Sequence, residues 1–198
     1  YPLLEWVISS NRSHIVKMQE THQIKTMNTK HQFLLLTAAP DKEAKFNQLK
    51  AKHGTKYAFH GSRAENWHAI LRNGLKNMSG TGGQLNGAAH GSGIYFAPQA
   101  SSSLGYCSAS GQGKKSGAAG EGFISESEMI CLALCELIDT PEVKDHGWCW
   151  TLANEDHVVT RFFFVYDNNA HQGNAGGADV SNKAFRKEVT EALKYYGM

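Results

Sequence analysis

The sequence predicts an α+β domain built on antiparallel or mixed sheets. Short apolar runs at 31–37, 57–60, 93–97, 129–138, 148–150 and 157–166 read as strands, while helical periodicity is confined to a few brief stretches. The two patterns do not alternate in the regular way that a parallel sheet with crossover helices requires. At 198 residues and 41% apolar composition the chain can bury one sizeable core, and its length calls for no second. Residues 1–198 are expected to form a single domain, with 1–30 as an N-terminal arm and 31–198 as its core.

Each element has a local reason. Residues 1–30 mix an apolar start, Leu3-Leu4-Glu5-Trp6-Val7-Ile8, with polar turns, which predicts a short helix and an extended arm. His31 to Thr37 is a compact apolar run closed by Ala39-Pro40-Asp41, as suits a buried strand. Asp41 to His53 is then helical, with Asp41 as N-cap, Phe46 and Leu49 on one face and Gly54 as the stop. Tyr57 to His60 is the next strand. In the helix expected over Ser62 to Asn73, Ser62 is the cap with Glu65 three residues on, and Trp67, Ile70 and Leu71 form the apolar face before Gly74. Asn77 to Ser92 reads as a loop, Gly93 to Ala97 as a short strand, Pro98 to Tyr106 as a short helix and Ser108 to Gly122 as a mobile surface loop. Met129 to Ile138 alternates Cys131, Ala133 and Cys135 with Ile130, Leu132 and Leu134, so both of its faces are covered. Trp148-Cys149-Trp150 is a shorter strand, and His157 to Tyr166 a longer one with Val158, Thr160, Phe162, Phe164 and Tyr166 on one side. A polar tail over 167–179 precedes a closing helix or strand pair at 181–196.

Composition excludes several classes of function. Twenty Lys and Arg against 18 Asp and Glu give a formal charge of only +2, so no broad field tracks a phosphate backbone and nucleic acid is not indicated. Cys107, Cys131, Cys135 and Cys149 lack paired zinc spacing and are too sparse for a disulfide scaffold, so they read as reduced, buried thiols of an intracellular, most simply cytoplasmic, protein. No metal site is expected among the scattered histidines, and Cys149 with His157 carries little weight as a thiol–imidazole pair. No run approaches the ~20 apolar residues of a membrane span, and no leader peptide is visible. The chain starts at Tyr1, which suggests a piece of something longer. A monomer is expected.

Three segments carry chemistry: Tyr57-Ala58-Phe59-His60-Gly61-Ser62, Gly93-Ile94-Tyr95-Phe96-Ala97 and Ser103-Leu104-Gly105-Tyr106-Cys107. A histidine at a strand end, two tyrosines and a serine together can present stacking surfaces and directional hydrogen bonds to one flat, polar, partly cationic ring. Such a ring is the nicotinamide of NAD+. Taken singly, each of these residues is more simply a satisfied strand-end imidazole, a core aromatic or a helix N-terminus.

In this order and spacing the segments resemble the catalytic domain of the poly(ADP-ribose) polymerase family, the diphtheria-toxin-like ADP-ribosyltransferases, and most closely its small mono-ADP-ribosylating branch. The resemblance runs from about Trp6 to Tyr166, through His31-Gln32-Phe33-Leu34-Leu35-Leu36, His60-Gly61-Ser62, Glu65-Asn66-Trp67-His68, Leu71-Arg72-Asn73-Gly74-Leu75, Gly93-Ile94-Tyr95 and Thr160-Arg161-Phe162-Phe163-Phe164-Val165-Tyr166. It implies an ADP-ribosyltransferase fold of two packed, mostly antiparallel sheets with an NAD-binding cleft. His60 is then expected to bond the adenosine ribose, and Gly61 and Ser103 to hold the carboxamide. Tyr106 and Tyr95 would flank the nicotinamide ring, Ser62 reach a ribose hydroxyl, and Lys76 lie near the adenosine half and the pyrophosphate. The family's polymerising members carry a glutamate on the last of these strands, and the match puts Phe162 there. A phenyl ring cannot accept a proton or orient a hydroxyl.

The expected activity is therefore transfer of one ADP-ribose from NAD+ to a protein acceptor, itself included, with nicotinamide released and no chain growth. His60, Tyr95 and Phe162 stand at the signature positions. The alternative is an inactive module that binds NAD+, ADP-ribose or a protein partner on the same scaffold. A related 2′-phosphate transferase would call for a basic cluster that this near-neutral chain lacks.

Overall fold

The structure is a computed structural model, and it describes residues 14–81, 89–107, 129–167 and 177–198. The loop expected at Ser108 to Gly122, most of the tail after Asp167 and the first thirteen residues lie outside the described residues. Among the described residues eight strands form two sheets: β1 (His14–Lys17), β2 (His31–Thr37), β8 (Val158–Asp167), β5 (Met129–Ile138) and β3 (Thr55–Gly61) in that order, and β4 (Ile94–Phe96), β7 (Trp150–Leu152) and β6 (Lys144–Asp145) in the second. Every pairing between these strands is antiparallel. Among the described residues four α-helices flank them: α1 (Pro40–His53), α2 (Trp67–Asn73), α3 (Ala100–Leu104) and α4 (Lys183–Tyr195). The α+β class read from the sequence is the one found.

The central strands β5 and β8 are apolar on both sides because both faces of the larger sheet are covered. On one face Leu132, Leu134, Phe162, Phe164 and Tyr166 meet Met18, Ile24 and Met27 from the N-terminal turns and Phe185, Val189 and Ala192 of α4. On the other, Cys131, Ala133, Cys135 and Phe163 meet Trp67 of α2 and Ile94, Phe96 and Leu152 of the small sheet. A third cluster seats α1 through Phe46 against Ile138 and Val159. Removing a side chain like Phe46 from water stabilises by roughly 1.5–3 kcal/mol.

Several local expectations are corrected. Residues 14–30 are not a free arm: β1 is the edge strand beside β2, and Met18, Ile24 and Met27 are core residues. Asp41 is not the cap of α1, which begins at Pro40 after Ala39; proline fits that first position because its missing N–H would be unpaired there anyway. Ser62 caps nothing. It lies on the extended exit from β3, its Oγ accepts from Asn66 Nδ2 at 3.0 Å, and its carbonyl accepts from Trp67 Nε1 at 3.0 Å. The helix proper starts at Trp67, after a 3-10 turn over Ala64–Asn66. Cys149 is not in a strand: the amide of His146 donates to its carbonyl at 2.9 Å across the turn between β6 and β7, where Gly147 has φ 86°.

Val158, Thr160, Phe162, Phe164 and Tyr166 do not share one side of β8, and the reason is a bulge. Phe162 pairs with Leu134 and Thr160 with Cys135, so Arg161 is an added residue and the alternation reverses across it. Val158 packs with the Phe163 face and Phe162 with the α4 face. Arg161 is buried by the bulge, and its charge is met in full. Nε donates to Glu136 at 2.7 Å, Nη1 and Nη2 to Glu43 at 3.2 and 2.9 Å, and Lys50 closes on Glu136 at 2.8 Å. The pair Arg161–Glu43 therefore ties α1 to the sheet. The closing segment is settled as helix α4, with the Asn182 side chain accepting the Ala184 amide at 2.8 Å.

Candidate active site

β3 delivers His60 and Gly61 to the opening between the two sheets. Its last buried residues, Ala58 and Phe59, are held by β5, and Phe59 also exchanges two backbone hydrogen bonds with Ala97, at 2.8 and 2.9 Å, just beyond β4. The same Phe59 carbonyl accepts the Ser103 hydroxyl at 3.1 Å, which pulls α3 onto the strand end. Gly61 is required by that approach: a Cβ there would lie 1.9 Å from the Ser103 carbonyl oxygen and 2.9 Å from Cys107 Sγ.

His60 Nδ1 donates to the Tyr95 carbonyl at 2.8 Å, since a carbonyl can only accept. This fixes the neutral tautomer with a lone pair on Nε2. Burial pushes the His60 pKa below 6.5, and the Tyr95 hydrogen bond opposes that shift without reversing it. The Tyr95 hydroxyl donates to the Gly91 carbonyl at 2.8 Å and accepts the His90 amide at 3.0 Å. That ring is thus anchored across the chain leading into its own strand.

One cleft of about 440 Å³ gathers these groups. His60, Gly61, Ser62, Lys76, Tyr95, Ser103 and Tyr106 all line it. Ser103 is nearly buried at its wall, whereas Tyr106, in the turn after α3, is 42% exposed. Phe162 is not part of the cleft: it is wholly buried on the α4 face, its ring parallel to that of Phe164. The residue of β8 that shares the His60 face is Phe163, in register with it through Ala133 of β5 and packed on Trp67 with ring centroids 4.9 Å apart.

The far wall is a loop following Gly74, a left-handed residue with φ 79° that ends α2. Sequence reasoning missed what holds this loop. Glu155, in the 3-10 turn before β8, accepts from Lys76 Nζ at 2.6 Å and from the Asn77 amide at 2.8 Å. Desolvation would raise the Glu155 pKa, but the hydrogen bonds from Lys76 and Asn77, with Lys42 nearby, carry it below the ordinary value. Burial pushes the Lys42 pKa down, and the charge of Lys76 adds to the effect. Trp148 and Cys149 also line the cleft, at the turn that sequence periodicity read as a strand. Gly147 was the available signal. Among the described residues no group of three or more His, Cys, Asp or Glu is placed to hold a metal ion.

The two packed sheets and their cleft define the class: an α+β domain that opens between its sheets at a strand-end histidine. The family described as poly(ADP-ribose) polymerase catalytic domain matches residues 10–169, and the chain belongs to that family. It is similar to the mouse and human proteins named protein mono-ADP-ribosyltransferase PARP8, each 43% identical over 215 aligned residues, covering 98% of this chain and 25% of theirs. It is also similar to human protein mono-ADP-ribosyltransferase PARP16, 32% identical over 143 residues, covering 72% of this chain and 37% of that protein. The chain thus spans about a quarter of the length of its PARP8 relatives.

Proposed function

We propose that this chain is a mono-ADP-ribosyltransferase domain that moves one ADP-ribose unit from NAD+ to a protein acceptor. What carries the reading is the meeting of His60, Gly61, Ser103, Tyr95 and Tyr106 around one cleft in a member of this family. The names of the PARP8 and PARP16 relatives support it. Residues 1–198 are taken as one catalytic domain acting as a monomer. An intracellular, cytoplasmic setting is favoured by four cysteines that are all buried and unpaired. No helix among the described residues is long and apolar enough to cross a membrane.

The roles proposed for the cleft residues are those the family resemblance implies. Nε2 of His60, left as an acceptor, takes a hydrogen bond from a ribose hydroxyl. The Gly61 backbone and the Ser103 hydroxyl hold the carboxamide; the Ser103 oxygen donates to Phe59 and keeps its lone pairs for the ligand. Tyr106 stacks on the nicotinamide and Tyr95 packs on its other side. Ser62 takes a ribose hydroxyl, and Lys76 offsets the diphosphate. In the transfer, the bond from the ribose C1′ to the nicotinamide nitrogen breaks and its electron pair leaves with neutral nicotinamide. A lone pair of the acceptor forms the new bond to C1′, and the acceptor's proton passes to solvent. The chain's contribution is to hold both ends of the dinucleotide while an oxocarbenium-like ribose forms.

No carboxylate stands beside His60 on β8, where the residue in register is Phe163 and its neighbour Phe162 is buried. The product is accordingly a single unit, with no base to activate the ribose of a growing chain. Mass spectrometry after incubation with NAD+ tests this. A single ADP-ribose increment on the protein or an added target, with nicotinamide released, supports the reading; repeated increments contradict it. Binding of NAD+ with no nicotinamide released would instead make the chain a binding module.

A further inference from the structure

The cleft mouth holds a ring that neither end of the dinucleotide uses under the transferase reading, on which this inference rests. Trp148 is 51% exposed, more than any other large apolar side chain among the described residues, and it lines the cleft. It is not loose. Its ring stands edge-on to His90 at 5.6 Å between centroids, and His90 stacks on His146 at 4.4 Å. His146 Nε2 shares a hydrogen bond of 3.0 Å with the Thr151 hydroxyl, and Thr151 pairs with Tyr95 in the small sheet. The His90 amide reaches the Tyr95 hydroxyl at 3.0 Å. These contacts fix the indole to the nicotinamide end, where the bond to C1′ breaks and the second substrate must arrive.

The chemistry of the rim narrows the partner. Met78, 46% exposed, adds apolar surface at the same mouth. Of the charged groups described in this cleft, Arg63 pairs with Glu65 at 2.7 Å while its buried Nε has no partner, and Lys76 pairs with Glu155 at 2.6 Å. Among the described residues that line the cleft, Trp148 is the most exposed large apolar side chain, and a braced indole is the kind of surface that anchors protein contacts. We propose that Trp148 is the docking anchor for the acceptor polypeptide, gripping an aromatic or aliphatic side chain next to the residue that is modified.

Water can replace the acceptor in the same step, its oxygen bonding to C1′ and its proton going to solvent, to give free ADP-ribose. The partition of product between peptide and water therefore measures docking, independently of how fast nicotinamide leaves. Two peptides, each holding Ser, Cys, Glu, Lys and Arg and differing only in Phe or Gln at the flanking positions, are incubated with NAD+ and this chain. Nicotinamide release and peptide-bound ADP-ribose are both read by mass spectrometry. The unaltered chain should favour the Phe-flanked peptide, and Trp148→Ala should shift its partition toward water by about tenfold, the loss of one aromatic anchor. Trp148→Phe should restore most of it. The inference is overturned by an unchanged partition in Trp148→Ala, by equal modification of the two peptides, or by hydrolysis with neither peptide modified. A drop in NAD+ affinity that accounts for the whole effect would also overturn it, by giving Trp148 to the dinucleotide. Failure of the unaltered chain to release nicotinamide in any arm is a distinct result; it removes the transferase reading and this inference with it.

Discussion

The Nδ1–H of His60 points at the Tyr95 carbonyl, 2.8 Å away, so the two signature residues of the cleft are joined to each other before any ligand arrives. The bond runs from a side chain of the large sheet to the backbone of the small one. It makes the imidazole a fixed acceptor at Nε2, and burial keeps that acceptor neutral.

A pH dependence follows from the sign of that shift. The folded pKa of His60 is depressed, so the neutral imidazole persists as pH falls through 6.5. Affinity for NAD+ should stay level there and fall only at the lower folded value, where Nε2 gains a proton and can no longer accept. His60→Ala should weaken binding by about 10- to 100-fold, on the scale of ~1–3 kcal/mol for a buried acceptor lost. Isothermal titration across pH 5 to 8 checks both; an inflection at the usual histidine value would remove His60 from the contact.

Gly61→Ala should be severe, although alanine is the smallest change available. The added methyl would fall 1.9 Å from the Ser103 carbonyl oxygen, which is backbone and cannot swing aside. Overpacking of this kind typically costs about 1–3 kcal/mol. Thermal unfolding should show that loss, together with weakened nicotinamide binding because α3 carries both Ser103 and the approach to Tyr106.

Acid should loosen the α1 face first. Desolvation would raise the Glu136 pKa, but Lys50, Arg161 and Thr55 hold it below 4.5. A carboxylate with a depressed folded pKa contributes stability above its unfolded value and loses it as pH falls through the folded one. The melting temperature should therefore drop below pH 4.5 and do so less steeply in Glu136→Gln, which is already destabilised at neutral pH. Arg161→Leu should cost about 3–5 kcal/mol, since it strands two carboxylates around an emptied site.

Phe162 shows where the sequence was readable and where it was not. The strands β2, β3, β4, β5 and β8 and the stop at Gly74 were legible from local patterns, apolar runs and a glycine after a helix, whereas the seven cleft-lining residues were legible only through the family resemblance, and the edge strand β1 and the two-residue β6 were not read at all. The cleft's bracing was not, because Glu155 meets Lys76 across 79 residues of sequence. Nor was the bulge, since Arg161 interrupts an otherwise even alternation and only the partner strand reveals which residue is added. One consequence is testable. Phe162→Glu places a carboxylate in the dry core beneath the sheet, so the expected result is a strong loss of stability with no gain of chain growth. Phe162→Leu should cost less than the ~3–5 kcal/mol of truncating a buried Phe to Ala. A folded Phe162→Glu protein that builds polymers would put this position back in the cleft.

Lys76 separates binding from stability. Its pair with Glu155 is short at 2.6 Å, but the lysine side chain is 54% exposed, and such pairs contribute at most about 1 kcal/mol to folding. Lys76→Ala should accordingly leave the melting temperature nearly unchanged. Under the proposed reading its ammonium offsets the diphosphate, so the loss should fall there alone. ADP-ribose affinity should weaken about tenfold, the value of one charge-assisted hydrogen bond, while the affinity for nicotinamide holds. Glu155→Gln should have the smaller effect of the two, because the amide oxygen still accepts from Asn77 and keeps the loop in place. Equal weakening of both ligands in Lys76→Ala would show that the lysine acts on the whole cleft rather than on its anionic end.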